Sequence, residues 1–330
     1  MTSKDKNFLL GLDIGGTKCA VILGEQASDH TIKVIAKQKF STADADNAYH
    51  CLQMLCSAAC ELLVRHNLTV EAVSAAGISC GGPLDPKRGI IQSPPNLPGW
   101  DNIPAVEIVK KNLNIPVKLE NDANACALAE WQYGAGQGCN DMIFLTFGTG
   151  LGAGIIAGGR LISGCCGMAG ECGHIRLQES GPSGYGKVGS FEGFCSGGGI
   201  AQLGKIYLQD LAKNGRSVPW LPAGGIDCID AKIIADAANA GDVDALKIYE
   251  ISGHQLGRGL AILVDLLNPE RIVIGSVFAR SENLLRPAML KSLQAEALSV
   301  SRQACKIVPA ALGEAVGDMA SLALAASVKA

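Results

Sequence analysis

Apolar, β-forming stretches recur along this chain, separated by glycine turns and by alanine-rich runs of helical character. "FLLGLDIGGTKCAVILGE", from Phe8 to Glu25, reads as strand, glycine turn, strand, because β-formers flank Gly15-Gly16-Thr17. "DMIFLTFGTGLGAGIIAGG", from Asp141 to Gly159, reads the same way. Setting Gly15 on Gly148 also aligns Leu12 with Leu145, Asp13 with Thr146, Ala20 with Ala153 and Ile22 with Ile155, so a repeated hairpin and two related lobes are expected. Between the hairpins the pattern predicts a helix around Leu52 to His66, a strand around Val73 to Ile78 and a Gly/Pro-rich loop from Cys80 to Trp100. A short β-like run, Ile115 to Lys118, then hands over to an alanine-rich helix. Beyond the second hairpin come a glycine-dense loop from Gly158 to Gly199, a helix from Ser196 to Lys213 and a connecting loop, "KNGRSVPWLPAGGIDCID". Helices from Ala231 to Leu267, a strand at 271 to 275 and a last helix from near Gly313 complete the pattern. Strands alternate with helices throughout, which makes the class α/β.

The 330 residues exceed what one core usually organises, so two domains are expected. With 48% hydrophobic and 18% charged residues the chain can bury a large core and is not of disordered composition. A net charge near −3 gives no footprint for nucleic acid or an anionic membrane, which leaves small-molecule chemistry as the starting expectation. The opening "MTSKDKNFLLGLDIGG" is interrupted by Asp13 and glycines, unlike a signal peptide. The most apolar region, "LGRGLAILVDLLNPERIVIG", is cut short of a membrane span by Arg258, Asp265 and Asn268-Pro269. A cytoplasmic protein is the expectation. Thirteen cysteines, odd in number and without a C-x-x-C pair, read as reduced thiols acting as small hydrophobes; Cys19, Cys56, Cys60 and Cys126 lie in apolar or alanine-rich runs.

Two features carry candidate chemistry. In "LENDANACALAE" an Asn-Asp pair stands where a strand meets a helix. Asp122 can be read there as a helix cap or as a carboxylate at a strand end acting as general base. The glycine turns let the backbone aim successive N–H groups at an anion. "DIGGTK" adds the hydroxyl of Thr17, the cation of Lys18 and the carboxylate of Asp13, while "FGTGLGAG" adds Thr149. Two such turns imply one anionic ligand shared between lobes; neither is a P-loop, which ends in Gly-Lys-Ser/Thr and opens a helix.

The motifs "LGLDIGGTK", "GISCGGPLDP", "PPNLPGW", "ENDANACALAE", "TFGTGLGAGI", "AGECGHI" and "NPERIVIG", followed by "LGEAVGDMASLALA", resemble in kind and order those of the ROK family of sugar kinases, related open reading frames and sugar-responsive repressors. The resemblance implies an actin-like, hexokinase-type fold with duplicated ribonuclease H-like lobes and a cleft between them. It implies a smaller lobe over residues 1–118, a larger one over 119–306, and a C-terminal helix, 307–330, packing back on the smaller lobe. It further implies an ATP-dependent hexose kinase requiring Mg²⁺, with Asp122 as catalytic base. Asn121, Glu171, His174, Glu192 and Gly82 would contact the sugar, and Asp13 would hold magnesium through water. Gly15, Gly16, Thr17, Lys18, Thr149, Gly150 and Gly152 would meet phosphates, though Lys18 also reads as an ordinary hairpin lysine. Gly275 approaches the adenosine, and Ser276-Val277-Phe278 replaces the family's usual further glycines there.

The substrate expected first is glucose at its 6-OH. N-acetylated amino sugars, fructose, allose and β-glucosides are the alternatives, and a non-enzymatic sugar-sensing regulator is the rival class. The first hairpin starts by residue 9, so the helix-turn-helix of the family's repressors is not expected before it. A homodimer is the implied assembly, with no nucleic-acid or membrane partner. One departure concerns metal. Where the family sets three zinc-binding cysteines, this chain reads "GPSGYGKVGSFEG", with Gly184, Gly186 and Ser190 at or beside those positions. Glycine offers no ligand, so no zinc is expected, and the loop is expected to be held by glycine turns, Tyr185 and Phe191. His30, His50, His66 and His254 read as structural or solvent-exposed.

Overall fold

The computed structural model describes residues 7–328. Its strands are β1 (Asn7–Ile14), β2 (Lys18–Gln26), β3 (Ile32–Ser41), β4 (Val73–Cys80), β5 (Leu84–Asp85), β6 (Ile90–Ile91), β7 (Val117–Asn121), β8 (Met142–Phe147), β9 (Leu151–Ala157), β10 (Arg160–Leu161), β11 (Ser183–Gly184), β12 (Lys187–Val188), β13 (Arg271–Ile274) and β14 (Lys306–Pro309). The α-helices are α1 (Ala48–Arg65), α2 (Ala105–Leu113), α3 (Asp122–Tyr133), α4 (Phe191–Phe194), α5 (Gly197–Lys213), α6 (Ala231–Asn239), α7 (Val243–Leu267), α8 (Val277–Glu296), α9 (Ser299–Ala304) and α10 (Val316–Ala326).

Two five-stranded sheets, in the orders β3-β2-β1-β4-β7 and β10-β9-β8-β13-β14, carry one topology twice: an antiparallel three-strand meander, then two parallel strands added beside its first strand. The repeated hairpin is therefore real, but its register corrects the alignment by one residue. Asp13 pairs with Ala20, whereas Thr146 pairs with Gly152, so Ala153 corresponds to Val21 and not to Ala20. The second turn is one residue shorter. Strand β7 pairs with β4, which carries the first sheet past residue 118.

The longer elements absent from the pattern reading are β3, α2, α8 and β14, and the short α9 and the two-residue strands are absent from it as well. Helix α2 had a signal in Ala105, Val109 and Leu113, spaced four apart and all buried. In α8 the signal is masked by Pro287 and by a kink at Ser281. Cys60 is exposed, against expectation, because it faces outward from α1. Among the described residues no helix is long and apolar enough to cross a membrane.

The lobes meet through two helices. Helix α10 lies on the first sheet where glycines leave no side chain: a Cβ on Gly77 would stand 2.2 Å from the Ser321 carbonyl oxygen and 2.6 Å from the Ala325 amide nitrogen, and one on Gly11 would stand 2.2 Å from the Ser321 hydroxyl. Helix α3 lies on the second sheet in the same manner, since a Cβ on Gly154 would meet Ala127 at 2.4 Å. The two helices share one buried cluster, in which Ala125 and Ala129 of α3 meet Ala320, Ala323 and Leu324 of α10 alongside Met142, Phe144 and Val273 of the second sheet. Fully buried Glu130 of α3 fastens this arrangement: its carboxylate accepts N–H groups from Ala135 (2.8 Å), Ala311 (3.2 Å) and Leu312 (2.9 Å), the last two in the segment leading into α10. A buried carboxylate is tolerable only when so satisfied.

Gly77→Ala should therefore destabilise the protein by about 1–3 kcal/mol through overpacking against backbone that cannot yield. Gly317→Ala, near the start of α10 with open space around it, should be neutral or stabilising by about 0.5–1 kcal/mol. Chemical denaturation of the two variants checks this, and equal effects would show that α10 does not press on Gly77.

Candidate active site

The C-terminal ends of the parallel strands β1, β4 and β7 bring Asp13, Cys80 and Asn121 to one edge of the first sheet. In open α/β sheets this edge is where ligands bind. At the start of α3 the capping and the acidic functions separate. Asn121 is the N-cap: its Oδ1 accepts the N–H groups of Ala123 at 2.8 Å and Asn124 at 3.4 Å. Its Nδ2 stays on the side of Gly82, where a Cβ would approach it to 3.2 Å. Asp122 is the first helical residue, with one oxygen accepting the Ala123 N–H at 2.7 Å and the side chain open to solvent in the cleft.

The protein mass around Asp122 pushes its carboxyl above the ordinary range, and the backbone N–H groups pull it partly back. Its exposure to cleft water limits that shift. Asp13, more enclosed, is pushed up to about 6 by burial first; Lys37 opposes the shift, and the charges of Asp122 and Asp318 add to it. Lys37 is itself paired with Asp318 of α10. The Asp122 carboxylate is thus held where its charge disfavours that of Asp13.

The first glycine turn is buttressed from both sides. Thr42 donates its hydroxyl to the Gly15 carbonyl at 2.6 Å and its N–H to the Thr17 carbonyl at 3.0 Å, and Gly16 lies under Asn96 of the "PPNLPGW" loop, whose oxygen a Cβ would meet at 2.3 Å. Gly16, Thr17 and Lys18 face solvent. In the second turn Thr149 is exposed, and the Gly197 N–H at the start of α5 donates to the Gly148 carbonyl at 2.7 Å. Gly152 is not at the turn: it lies in β9, its N–H is committed to the Thr146 hydroxyl at 2.9 Å, and its bare face admits Ala123 of α3.

Glu171, His174 and Glu192 come together beside the start of β9. Glu192 accepts the Leu151 N–H at 2.9 Å, and its Oε2 would lie 2.7 Å from a Cβ on Gly150. Burial raises the Glu171 carboxyl, with the Asp122 and Glu192 charges adding to the shift and His174 opposing it; the side chain is exposed, so the effect is modest. Hydrogen bonds hold the loop over 181–192. Ser190 accepts the N–H groups of Gly184 and Gly193, both at 3.1 Å, Lys187 donates to the His174 carbonyl at 2.7 Å, and Arg176 donates to the Val188 carbonyl at 2.9 Å. Phe191 is fully buried, whereas Tyr185 is exposed and only sets its ring edge-on to His174, 6.4 Å between centroids. A Cβ on Gly184 would stand 2.7 Å from that of Glu192, so no cysteine fits at 184 without moving Glu192.

From the second turn a cavity of about 830 Å³ extends between α5, α6 and α8, lined by Gly148, Thr149, Asp230, Lys232, Asp236 and Arg280 among others. Its volume is that of a small-molecule site. Gly275 lies behind its wall, with its N–H on the Leu145 carbonyl at 3.0 Å, while Ser276 lines it at φ 52° and is touched by Arg280 at 3.3 Å. The sequence reading missed Asp230, Lys232, Asp236 and Arg280. No local motif marks them; only the capping position of Asp230 before α6, where it accepts the Ile233 N–H at 2.8 Å, was legible. The loop after α5 is pinned by Arg216 on Asp244 at 2.9 Å.

Comparison with known proteins places the chain in a family. The sequence pattern of the ROK family matches residues 9–328. A glucokinase of Halalkalibacterium halodurans is 30% identical over 312 residues, 94% of this chain and 92% of that one. The crystal structure of a ROK family glucokinase from Streptomyces griseus in complex with glucose and AMPPNP matches with a TM-score of 0.74 and 31% identity, over 97% of this chain and 100% of that one. A ROK family transcriptional regulator, a homologue of the Escherichia coli MLC protein, matches with a TM-score of 0.83 and 26% identity, over 96% of this chain and 77% of that one. The fold is the actin-like, hexokinase-type fold, and the chain belongs to the ROK family.

Proposed function

We propose that the protein is an ATP-dependent sugar kinase that transfers the γ-phosphoryl group of ATP to a hexose hydroxyl, with glucose at its 6-OH the first substrate to try. The observation that carries this reading is the division of labour at the start of α3: Asn121 takes the cap, so the carboxylate of Asp122 faces the cleft with an oxygen to spare. A group in that position can accept the hydroxyl proton as the oxygen attacks phosphorus. The glucokinase relatives support the same class.

Under this reading the turns carrying Gly15, Gly16 and Thr17 and carrying Gly150, with Thr149 and Lys18, meet the phosphates, and the cavity beyond Thr149 takes the nucleoside. Asn121 Nδ2, Glu171, His174 and Glu192 pair with sugar hydroxyls, and Gly82 keeps the wall beside Asn121 bare. The donor set fits Mg²⁺: Asp13 is a hard oxygen ligand whose charge the neighbouring Asp122 disfavours and a divalent cation would favour, and Mg²⁺ keeps its waters and needs few carboxylates. When bound, the cation neutralises phosphate charge during transfer. Zinc has no part in the reading, because Ser190 and Lys187 hold the loop that zinc would otherwise order. The likeness to a transcriptional regulator supports a second reading, sugar sensing without turnover.

An ATP-consumption assay with Mg²⁺ across hexoses, amino sugars and β-glucosides should find one preferred sugar, and Asp122→Asn should lower kcat on the order of 10²–10⁴-fold with little change in sugar affinity. A sugar that raises the melting temperature without any turnover would favour the sensor instead. Asp13 supplies a test of electrostatics. Its folded-state pKa of about 6 lies above the ordinary carboxylate value, so its charge costs stability above pH 6, and that cost disappears as pH falls towards 4. Asp13→Asn should therefore raise the melting temperature of the ligand-free protein at pH 7 to 8 and leave it unchanged near pH 4, while removing the protection that Mg-ATP gives the parent. Finally, activity should survive prior treatment with a zinc chelator once excess Mg²⁺ is restored; loss that only zinc repairs would overturn the metal-free account of the loop.

A further inference from the structure

Beneath the first glycine turn lies a pair of thiols that phosphoryl transfer does not use. Cys19 follows Lys18 and closes the turn as ladder partner of Ile14. Cys51, 32 positions later, comes down from α1 so that the two sulfurs are 3.6 Å apart, both side chains being buried. Thr42 connects the pair to the turn: its hydroxyl oxygen is 3.4 Å from the Cys19 sulfur, and the same hydroxyl donates to the Gly15 carbonyl. A disulfide needs the sulfurs at about 2.05 Å, so they have to close by roughly 1.5 Å. The hydrogen bond from Cys51 holds Cys19 below the ordinary thiol range against the opposing effect of burial, and Cys51, as the donor, is pushed up. One sulfur is thereby prepared as nucleophile and the other keeps the proton.

We propose that Cys19 and Cys51 are a modification site, oxidised by a peroxide to a reversible disulfide that pulls the first glycine turn out of its phosphate-binding shape. The chemistry balances with hydrogen peroxide as oxidant. The Cys19 sulfur attacks one peroxide oxygen, the O–O bond breaks, and a sulfenic acid and one water result. The Cys51 sulfur then attacks that of Cys19, the S–O bond breaks, and the hydroxide leaves as a second water with the Cys51 proton. Two thiols and one peroxide become one disulfide and two waters. Burial admits only a small oxidant during local opening of α1 or the turn, so oxidation is slow and specific compared with that of the exposed Cys60, Cys165, Cys166 and Cys228. The effect on turnover rests on the kinase reading, since a displacement of about 1 Å in a positioning group costs up to about 10²-fold in rate.

The test uses the full chain with Cys60, Cys165, Cys166 and Cys228 replaced by serine, treated with peroxide and then with dithiothreitol. Peptide mapping by mass spectrometry should find Cys19 joined to Cys51. Sugar-dependent ATP consumption and the melting-temperature shift given by a non-hydrolysable ATP analogue should both fall, the rate by at least about tenfold, and both should return on reduction. Cys51→Ala, with Cys51→Ser as a second variant should the alanine cavity impair folding, should keep its rate and its analogue shift through the same treatment. Absence of the joined peptide overturns the disulfide, and a joined peptide with an unchanged analogue shift overturns the switch. If the reduced protein turns over no sugar, the kinase reading fails instead, and the peptide map with the analogue shift still decides the disulfide.

Discussion

The structure depends on two helices pressed together between two sheets. Helices α3 and α10 can lie there only because Gly11, Gly77 and Gly154 present no side chain to them, and because both carry alanine where they meet. Close packing of this kind is gained by dispersion over many contacts and lost with a single added methyl. It also sets the distance between lobes, since α10 sits on one sheet, α3 on the other, and Glu130 joins the approach to α10 directly to α3.

The position of the site follows from that packing. Helix α3 begins where β7 ends, so its first residue comes out where its charge reaches Asp13 on one side and Glu171 on the other. A helix start needs an acceptor for its free N–H groups, and Asn121 supplies it. Had Asp122 been needed as the cap, its charge would be neutralised in part by the helix and withdrawn from chemistry. The cap reading of the Asn-Asp pair is thus answered by Asn121, which leaves the Asp122 carboxylate available for the role proposed for it.

The remaining walls show one local need met by different means. The loop over 181–192 is a small antiparallel ladder whose polar ends converge on the Ser190 hydroxyl, and Gly184 gives Glu192 the space a side chain would take. The first turn is held from below by Thr42 and from above by Asn96, so its shape answers to other residues of its own lobe. A shortened sulfur–sulfur distance beneath the turn would reach the carbonyl of Gly15 through Thr42, which touches both.

Much of this was legible in the residues themselves. Period-two and helical patterns located both hairpins, α1, α5 and β13, and ordered motifs indicated the family, because turns, caps and amphipathic faces are encoded within a few neighbouring positions. The reading failed where the local signal was weak, as in the kinked α8, or where a strand register depended on the partner, as with Ala153. Only the tertiary structure decided that the Gly152 N–H is taken by Thr146, that Cys19 meets Cys51, and that Asp230, Lys232 and Arg280 share a cavity with Thr149. Those residues are distant in the chain, and no local rule brings them together. Their meeting is set by how closely helices and sheets can approach, which is a property of the packed whole.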